Sequence, residues 1–506
     1  MDRAHLATAI GKSTSFVPYP SSLTDFEGTL FFMGKRDLDK RLCLAWQKGE
    51  APALLQDFCG EPFRVTVEKI ECKVLCGYLD HTNAVGLRKH LPWTGPQVIG
   101  ILPSVGLGDR LGLATPAHVR AVRGTGLSAV FAQQSIREMQ RTGRTPDDVM
   151  DTATFGVFQE GYAEGFGADA DHLKTMEDLD ATIAAGFTMF TVDPGDHVDN
   201  AAQTDDLPTL ERKFAALPLV ELETSQADLT ARLLDREVPL PDGTVVFFDR
   251  ETFLRAAVKY GRALIHALRM YRHLAQHHDA PFDFEVSVDE TATPTSVAEH
   301  VFVANELKRT GVRWESLAPR FVGEFEKGVD YIGDLAEFRR TFAQHVAVAQ
   351  RFGPYKISLH SGSDKFSIYP IAAELAGGLV HLKTAGTSYL EALRAIAAVD
   401  PALFRELLTF AMEHYPEDRA SYHVSARLEN VLAPEDLADD ELATVLDEFD
   451  TREVMHVTFG SVLRAQESGK PRFKDRLMQT LAEHEETHYE TVRAHILRHV
   501  EPFARR

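Results

Sequence analysis

The chain has 506 residues, of which 44% are hydrophobic and 25% charged, a composition typical of a globular protein with one large core or a large and a smaller domain. Its formal net charge of −21 repels phosphate backbones and anionic membranes, which excludes both as expected partners. No apolar run approaches the ~20 residues of a membrane helix, and the first residues lack the apolar stretch of a signal peptide. We therefore expect a cytoplasmic protein, in which an anionic ligand needs a local patch of lysine, arginine or metal.

Residues 1–95 predict a small N-terminal region that contains β-strands. Two stretches, residues 28–46 and 63–79, alternate partially between apolar and polar residues, as strands do. The four cysteines of the chain all lie here: Cys43, Cys59, Cys72 and Cys76. Because C-x3-C is not a zinc-knuckle spacing, buried free thiols are favoured over a structural zinc.

Residues 96–400 predict an α/β fold, a (β/α)8 barrel of the TIM type. Short apolar strands alternate with longer helical patterns, and repeated β-then-α units imply a parallel sheet. The predicted strands are residues 98–102, 129–133, 168–174, 187–192, 282–289, 313–317, 355–360 and 379–383. An insertion near residues 200–280 contains "VPLPDGTVVFFD", which predicts a hairpin through Asp242-Gly243. Residues 401–506 predict a helical C-terminal segment packed on the barrel.

Histidines recur where three of these strands end. The tetrapeptide His-Leu-Lys-Thr occurs at residues 172–175 and 381–384, and "KISLHSGSDKF" ends a third strand. Alternation along a strand turns His172, His360 and His381 toward the barrel interior, near the mouth where barrel enzymes keep their active sites. Three such histidines predict the ligands of a divalent metal that keeps an open coordination position. The alternative is a set of hydrogen-bonded cleft histidines.

Charged residues accompany the histidines. Lysines close to them would supply the positive charge that a carboxylated substrate requires. Two carboxylates beside a metal can share the roles of base and acid. Glu285 and Asp289 alternate inward on one strand, and Glu290 follows at the mouth. Asp171 and His172 point to opposite faces in an ideal strand, so both side chains can belong to the same site only if the strand ends there.

Residues 484–488 read H-E-x-x-H, the pattern of a zinc protease helix. His484 and His488 share a helical face with Leu477, Leu481 and Val492, which predicts one packed terminal helix whose histidines form hydrogen bonds. A zinc protease is disfavoured, because the third ligand would have to come from the last residues or from another domain.

Four stretches, "KISLHSGSDKFSIYP", "GADADHLKT", "TVDPGDH" and "SVDETATPTSVAEH", resemble the tagaturonate epimerase family of bacterial hexuronate catabolism, and the likeness covers most of residues 96–500. The resemblance implies a divalent-metal enzyme that interconverts D-tagaturonate and D-fructuronate, with a small acidic sugar as its partner. It implies Asp171 as proton acceptor, Glu290 as proton donor, and His172, His360 and His381 as metal ligands. Asp196 and His197 are the alternative base and ligand. The predicted substrate-binding residues are Gln133, Lys174, Asp193, Asp289, Ser361, Lys365 and Lys383.

The two sugars differ at the carbon β to the ketone, whose hydrogen the ketone does not acidify. We therefore expect retro-aldol cleavage and re-formation rather than abstraction of that hydrogen. The alternatives are a uronate isomerase or aldolase on the same barrel, and a sugar-acid-binding protein without turnover. The sequence favours no oligomeric state and no one metal among zinc, manganese, nickel, cobalt and iron.

Overall fold

The computed structural model describes residues 3–47, 49, 51–67 and 69–504. The strands in this part of the chain are β1 (Val17–Pro18), β2 (Thr24–Phe26), β3 (Thr29–Arg36), β4 (Asp39–Gln47), β5 (Glu61–Val67), β6 (Ile70–Gly77), β7 (Ser104–Leu107), β8 (Ser128–Ser135), β9 (Phe166–Leu173), β10 (Met189–Val192), β11 (Glu237–Pro239), β12 (Val245–Phe247), β13 (Asp283–Val288), β14 (Ser316–Pro319), β15 (Lys356–Leu359), β16 (Val380–Thr384), β17 (Gln466–Glu467) and β18 (Lys470–Pro471).

The α-helices of the same residues are α1 (Arg3–Thr14), α2 (His81–His90), α3 (Thr115–Val122), α4 (Ile136–Thr142), α5 (Pro146–Glu160), α6 (Met176–Ala184), α7 (Leu207–Ala215), α8 (Gln226–Leu233), α9 (Arg250–His277), α10 (Val297–Arg309), α11 (Leu335–Phe352), α12 (Tyr369–Ala376), α13 (Thr387–Val399), α14 (Pro401–Asp418), α15 (Phe449–Val457), α16 (Phe459–Arg464), α17 (Lys474–Glu483) and α18 (Glu485–Val500). None of them is both long and apolar enough to cross a membrane.

Eight strands close into a barrel in the order β7, β8, β9, β10, β13, β14, β15, β16 and back to β7. Consecutive strands from β9 to β16 pair in parallel, with helices in the connections. These strands are almost wholly buried, as expected where side chains fill the interior and helices cover the outside. The predicted (β/α)8 barrel is confirmed.

The first predicted strand, residues 98–102, is wrong. This stretch turns before β7, and the main-chain N–H groups of Ile99 and Gly100 donate to the Asp283 carboxylate at 2.7 and 3.0 Å. Gly100 has φ +63°, a conformation that interrupts a strand, and Leu102 is 51% exposed. The other seven predicted strands overlap observed ones.

The predicted hairpin in the insertion is confirmed. β11 and β12 pair antiparallel with Glu237 opposite Phe247, and the turn passes through Gly243 at φ +88°. The short helices α7 and α8 precede it, and α9 follows it. Asp249 caps α9 by accepting a hydrogen bond from the Thr252 N–H at 2.8 Å.

The described residues fall into two compact units. One contains the residues up to 97, residues 107–166 and residues 386–498; the other contains residues 98–106, 167–385 and 499–504. In the first unit, strands β1 to β6 form one antiparallel sheet, and a separate apolar core joins residues of helices α13 to α17. The predicted domain limits, 1–95, 96–400 and 401–506, stay a prediction.

Three of the four cysteines are buried thiols, as expected, and Cys59 is not. Cys59 is exposed and its Sγ lies 3.4 Å from an Asp80 carboxylate oxygen. Cys43 and Cys76 are register partners on β4 and β6, with their sulfurs 2.8 Å apart. Cys43, Cys72 and Cys76 are buried because they lie on strands. Cys59 lies in the connection between β4 and β5, where strand alternation does not predict burial.

The predicted continuous helix through H-E-x-x-H is wrong. α17 ends at Glu483 and α18 begins at Glu485, with His484 between them in a non-helical conformation (φ −111°, ψ 42°). His484 is therefore exposed, while His488 is buried. The two histidines do not share a helical face, which removes the geometry that a zinc protease requires.

Directly after the break, the Glu485 side chain is buried in an ion-pair cluster. Its carboxylate accepts hydrogen bonds from Lys35 Nζ and Lys40 Nζ at 2.6 Å each and from the Tyr19 hydroxyl at 2.9 Å. Burial alone would raise the pKa of Glu485, but the two lysines outweigh it and lower that pKa to about 2. Glu485, the glutamate of the H-E-x-x-H motif, thus joins α18 to the N-terminal sheet within the first unit.

Glu485→Gln is expected to reduce the free energy of unfolding by about 2–4 kcal/mol, because it leaves two half-buried lysines without their carboxylate. The neighbouring Glu486→Gln is the matched control: Glu486 is 69% exposed and pairs with Arg120 at 2.8 Å, so its loss should cost less than about 1 kcal/mol. Denaturant unfolding at pH 7 measures both. Because the folded pKa lies below the unfolded one, near 4.3, the Glu485 contribution is complete above that pH and should fade as the pH falls toward 2. Equal costs for the two variants would contradict this account.

Candidate active site

A cluster of charged side chains lies in the second unit, where the barrel strands reach their carboxyl ends. Each lies within two residues of the carboxyl end of one of five barrel strands, which is where barrel enzymes place reacting groups. Its members are Asp171 and His172 at the end of β9, Asp193 after β10, Asp289 and Glu290 after β13, His360 after β15, and Lys383 on β16.

A β-bulge at the end of β9 lets Asp171 and His172 serve the same site. Between Ala170 and Leu173 the strand advances three residues while β10 advances two, so one extra residue is inserted. His172 takes up the insertion with φ +54°. As a result the two side chains meet, and His172 Nδ1 lies 2.9 Å from Asp171 Oδ1. The expected end of the strand at this point is wrong, because β9 continues to Leu173; the bulge brings the two side chains together instead.

His172, Asp289 and His360 form a group of potential metal ligands, with one ligand atom from each within 4.8 Å of the others. The imidazole rings of His172 and His360 are 4.9 Å apart, and His360 Nδ1 lies 3.2 Å from Asp289 Oδ1. A second group, His172, Asp193 and Glu290, shares His172. Two imidazoles and a carboxylate are a donor set suited to a divalent transition metal.

Glu285 orients His360 from the barrel interior. His360 Nε2 donates to Glu285 Oε1 at 2.6 Å, which turns Nδ1 toward Asp289. Burial would lower the pKa of His360, but Asp289 and Glu285 raise it to about 10. Glu285 was visible in the sequence as an inward residue, but its role as a partner of His360 required the fold.

His381 lies deeper in the barrel than His360. It pairs in register with Ser358, two residues before His360, and its Nδ1 lies 2.8 Å from the Ser104 hydroxyl. Burial, then the nearby Lys356, holds the pKa of His381 well below its usual range, so the ring is neutral. Among the described residues it joins neither ligand group. His381 as a metal ligand stays a prediction, and Asp289 is the third donor that the geometry brings to His172 and His360.

Lys383 is surrounded by carboxylates rather than turned to a ligand. Its Nζ lies 2.7 Å from both Asp169 and Asp171 and 2.9 Å from Glu285, all of them buried. Burial raises the pKa of Asp171, but His172 and Lys383 outweigh it and hold that pKa well below the usual range. Lys383 therefore helps to keep Asp171 ionised, whereas burial raises the pKa of Asp169 to about 6 despite the same lysine.

At the mouth, Lys174 bridges three acids. Its Nζ lies 3.1 Å from Asp196, 3.4 Å from Asp193 and 3.7 Å from Glu290. Asp196 and His197, the alternative base and ligand, are both exposed, and the His197 ring stacks on His266 at 4.3 Å. The two potential ligand groups at the mouth include His172 and not His197.

The remaining residues predicted to bind the substrate differ in their burial and in their contacts. Lys365 is buried and donates to the main-chain carbonyls of Glu326, Val329 and Ser363. Ser361 is half-buried, directly after His360, and Gln133 is buried on β8 in the first unit. Their roles stay predictions.

The fold and this cluster define a (β/α)8-barrel enzyme whose polar site lies at the carboxyl ends of the strands. The comparisons with known proteins agree and are more specific. Residues 19–503 match the model of the tagaturonate epimerase family. The chain belongs to the tagaturonate epimerase family.

Relatives cover nearly the whole chain. A tagaturonate/fructuronate epimerase from Thermotoga maritima is 45% identical over 483 residues, 96% of either chain. A native crystal structure of fructuronate-tagaturonate epimerase from Cohnella laeviribosi is 38% identical, covers 98% of this chain and 99% of its own, and superposes with a TM-score of 0.90. A glycerol complex of that enzyme is 39% identical over 97% of either chain, also with a TM-score of 0.90.

Proposed function

We propose that this protein interconverts tagaturonate and fructuronate by inverting the carbon β to the ketone. The observation that carries the proposal is the placement of His172, His360 and Asp289 together at the barrel mouth, in a chain 45% identical to a curated epimerase. A small acidic sugar is the substrate that this family membership supports. A cytoplasmic location stays a prediction.

The residues at the mouth fit a divalent cation. The donors are two imidazoles and one carboxylate, and Glu285 orients one of those imidazoles from behind. A cation held there would acidify a substrate hydroxyl and stabilise negative charge on the neighbouring oxygen. The fit does not distinguish zinc, manganese, nickel, cobalt or iron.

The acid–base steps are assigned to the chain's own carboxylates. Asp171, held by Lys383 and His172, accepts the proton of the β-hydroxyl. The bond between the α and β carbons then breaks, leaving an aldehyde at the β carbon and an enediolate on the ketone half. After the aldehyde turns over, the enediolate attacks its other face, and the bond re-forms.

Glu290 is assigned to protonate the alkoxide that this attack produces. It lies on the opposite side of His172 from Asp171, 3.9 Å from His172 Nε2, and its side chain is 35% exposed. That exposure lets it exchange protons with water between turnovers. Asp171 ends the reaction protonated, and it returns the accepted proton to solvent between turnovers through its side chain, which is 10% exposed.

The test is incubation of D-fructuronate with the purified protein, followed by chromatography of the sugars. We expect D-tagaturonate to appear, to be lost by at least about tenfold after exhaustive chelation, and to return when one of several divalent ions is added. Free aldehyde fragments would indicate an aldolase, an aldose would indicate an isomerase, and unchanged sugar would indicate a binding protein. Full activity in the chelated protein would contradict the metal assignment.

A further inference from the structure

The turn that follows β15, residues 360–365, begins with His360, and two of its residues adopt an unfavourable backbone conformation. Ser361 has φ +48° and Asp364 has φ +64°, in the left-handed region that residues other than glycine rarely occupy. Such conformations persist where the surrounding structure imposes them, and they are frequent at active sites. The contacts that impose this turn therefore help to fix where the His360 ring lies.

Main-chain contacts attach the turn to the end of β16. The Gly362 N–H donates to the Lys383 carbonyl at 3.1 Å, and the Ala385 N–H donates to the Ser363 hydroxyl at 3.0 Å. A Cβ atom on Gly362 would lie only 2.6 Å from the Leu382 side chain, so glycine permits this close approach. The turn thus packs directly against β16.

Lys365 holds the other side of the turn. Its side chain is fully buried, and Nζ donates to the main-chain carbonyls of Ser363 at 3.0 Å, of Glu326 at 2.7 Å and of Val329. Glu326 and Val329 belong to the loop between β14 and α11, so one ammonium group joins that loop to the turn. An ammonium has three N–H donors, and these three carbonyls match them.

The hydroxyl of Tyr369, the first residue of α12, supports the same turn. It donates to the Gly362 carbonyl and accepts a hydrogen bond from the Lys365 main-chain N–H at 3.1 Å. Tyr369 is fully buried, so water does not replace either bond when one partner is removed. The ammonium and the hydroxyl thus brace adjacent parts of one turn.

We propose that Lys365 and Tyr369 are positioning residues that hold the His360 ring where it can bind a cation. The ring requires a defined position, because its Nε2 lies 2.6 Å from Glu285 and its Nδ1 3.2 Å from Asp289. This inference rests on the proposed function, since it takes His360 as a cation ligand. It assigns Lys365 to the support of the turn in place of the predicted contact with the substrate.

The test compares Lys365→Met with Lys308→Met. Lys308 also donates to a main-chain carbonyl, that of Phe352 at 2.9 Å, but it joins the C-terminal ends of α10 and α11, where the chain re-enters the barrel. The first readout is the pair of ring nitrogen NMR signals of His360 in cation-free protein labelled with 15N-histidine, assigned by their loss in His360→Asn. The second is kcat/KM for D-fructuronate.

We expect Lys365→Met to shift the His360 signals and to lower kcat/KM by about 10- to 100-fold, because small displacements of a ligand or catalytic group have effects of this size. Tyr369→Phe, which removes one hydroxyl, should shift the same signals and lower kcat/KM by about 3- to 10-fold. Lys308→Met should change neither the signals nor kcat/KM.

Unchanged His360 signals in a folded Lys365→Met protein would overturn the proposal even if kcat/KM falls, because a contact between Lys365 and the substrate would then explain the loss. If Lys365→Met does not fold, Tyr369→Phe decides by the same signals. The NMR readout requires neither sugar nor cation. A protein that does not convert D-fructuronate would therefore contradict the proposed function, while the His360 signals would still decide the role of Lys365 and Tyr369.

Discussion

His172→Asn is expected to lower kcat/KM for D-fructuronate by about 10³-fold or more. His172 belongs to both groups of potential metal ligands at the barrel mouth and also contacts Asp171, the proposed base. Its loss removes a cation ligand and the partner of a catalytic carboxylate together, and several kcal/mol of transition-state stabilisation correspond to such a factor. Asparagine is chosen because it tolerates the left-handed conformation at this position, so the bulge in β9 should persist.

His197→Asn is the matched control, since His197 is the alternative ligand and lies at the same end of the barrel. It is exposed and stacks on His266, outside the potential ligand groups of the described residues. We expect its kcat/KM to stay within about threefold of the unaltered protein. Steady-state kinetics and metal content of both variants decide the matter; the reverse order of effects would assign the site to Asp196 and His197.

Lys383→Met is expected to reduce the free energy of unfolding by about 3–5 kcal/mol or more. The substitution leaves Asp169, Asp171 and Glu285 buried beside one another with no ammonium among them. Repulsion among three carboxylates in the barrel interior should then force proton uptake or loosen the strands that carry them. Denaturant unfolding, with proton uptake followed in weak buffer, measures the effect.

Lys174→Met provides the comparison, because Lys174 also contacts three acids but is 37% exposed. Water and salt screen its ion pairs, so its removal should cost less than about 1 kcal/mol. The double variant Lys383→Met with Asp169→Asn should recover part of the loss, since one buried charge is then removed. A Lys383→Met protein as stable as Lys174→Met would show that the interior cluster does not depend on this lysine.

Most of the barrel could be predicted from the sequence because each parallel strand is a short apolar run followed by an amphipathic helix. The first strand could not. Residues 98–102 are as apolar as a strand, but their main-chain donors bind Asp283, a partner distant in sequence. The prediction of one continuous terminal helix was also wrong. Periodicity predicted a helix through His484, but that residue is non-helical, and the Glu485 side chain that follows it is paired with Lys35 and Lys40, which are distant in sequence.

The sequence indicated which residue types line the candidate site, but not which side chains contact one another. Strand alternation predicted His172, His360 and His381 on one inner face. The bulge in β9 contributes to the 4.9 Å separation between the His172 and His360 rings, and β16 carries His381 two residues deeper than His360. The bulge that joins Asp171 to His172 has no signature in the letters around it.

The measurement that tests the central claim most directly is proton NMR of D-fructuronate in D2O with the protein and a divalent metal. We expect tagaturonate to accumulate with its inverted carbon still bearing the original hydrogen, because retro-aldol inversion never breaks that C–H bond. Tagaturonate carrying deuterium at that carbon would contradict the retro-aldol route while keeping the epimerase. Unchanged D-fructuronate with every metal tried would contradict the epimerase itself.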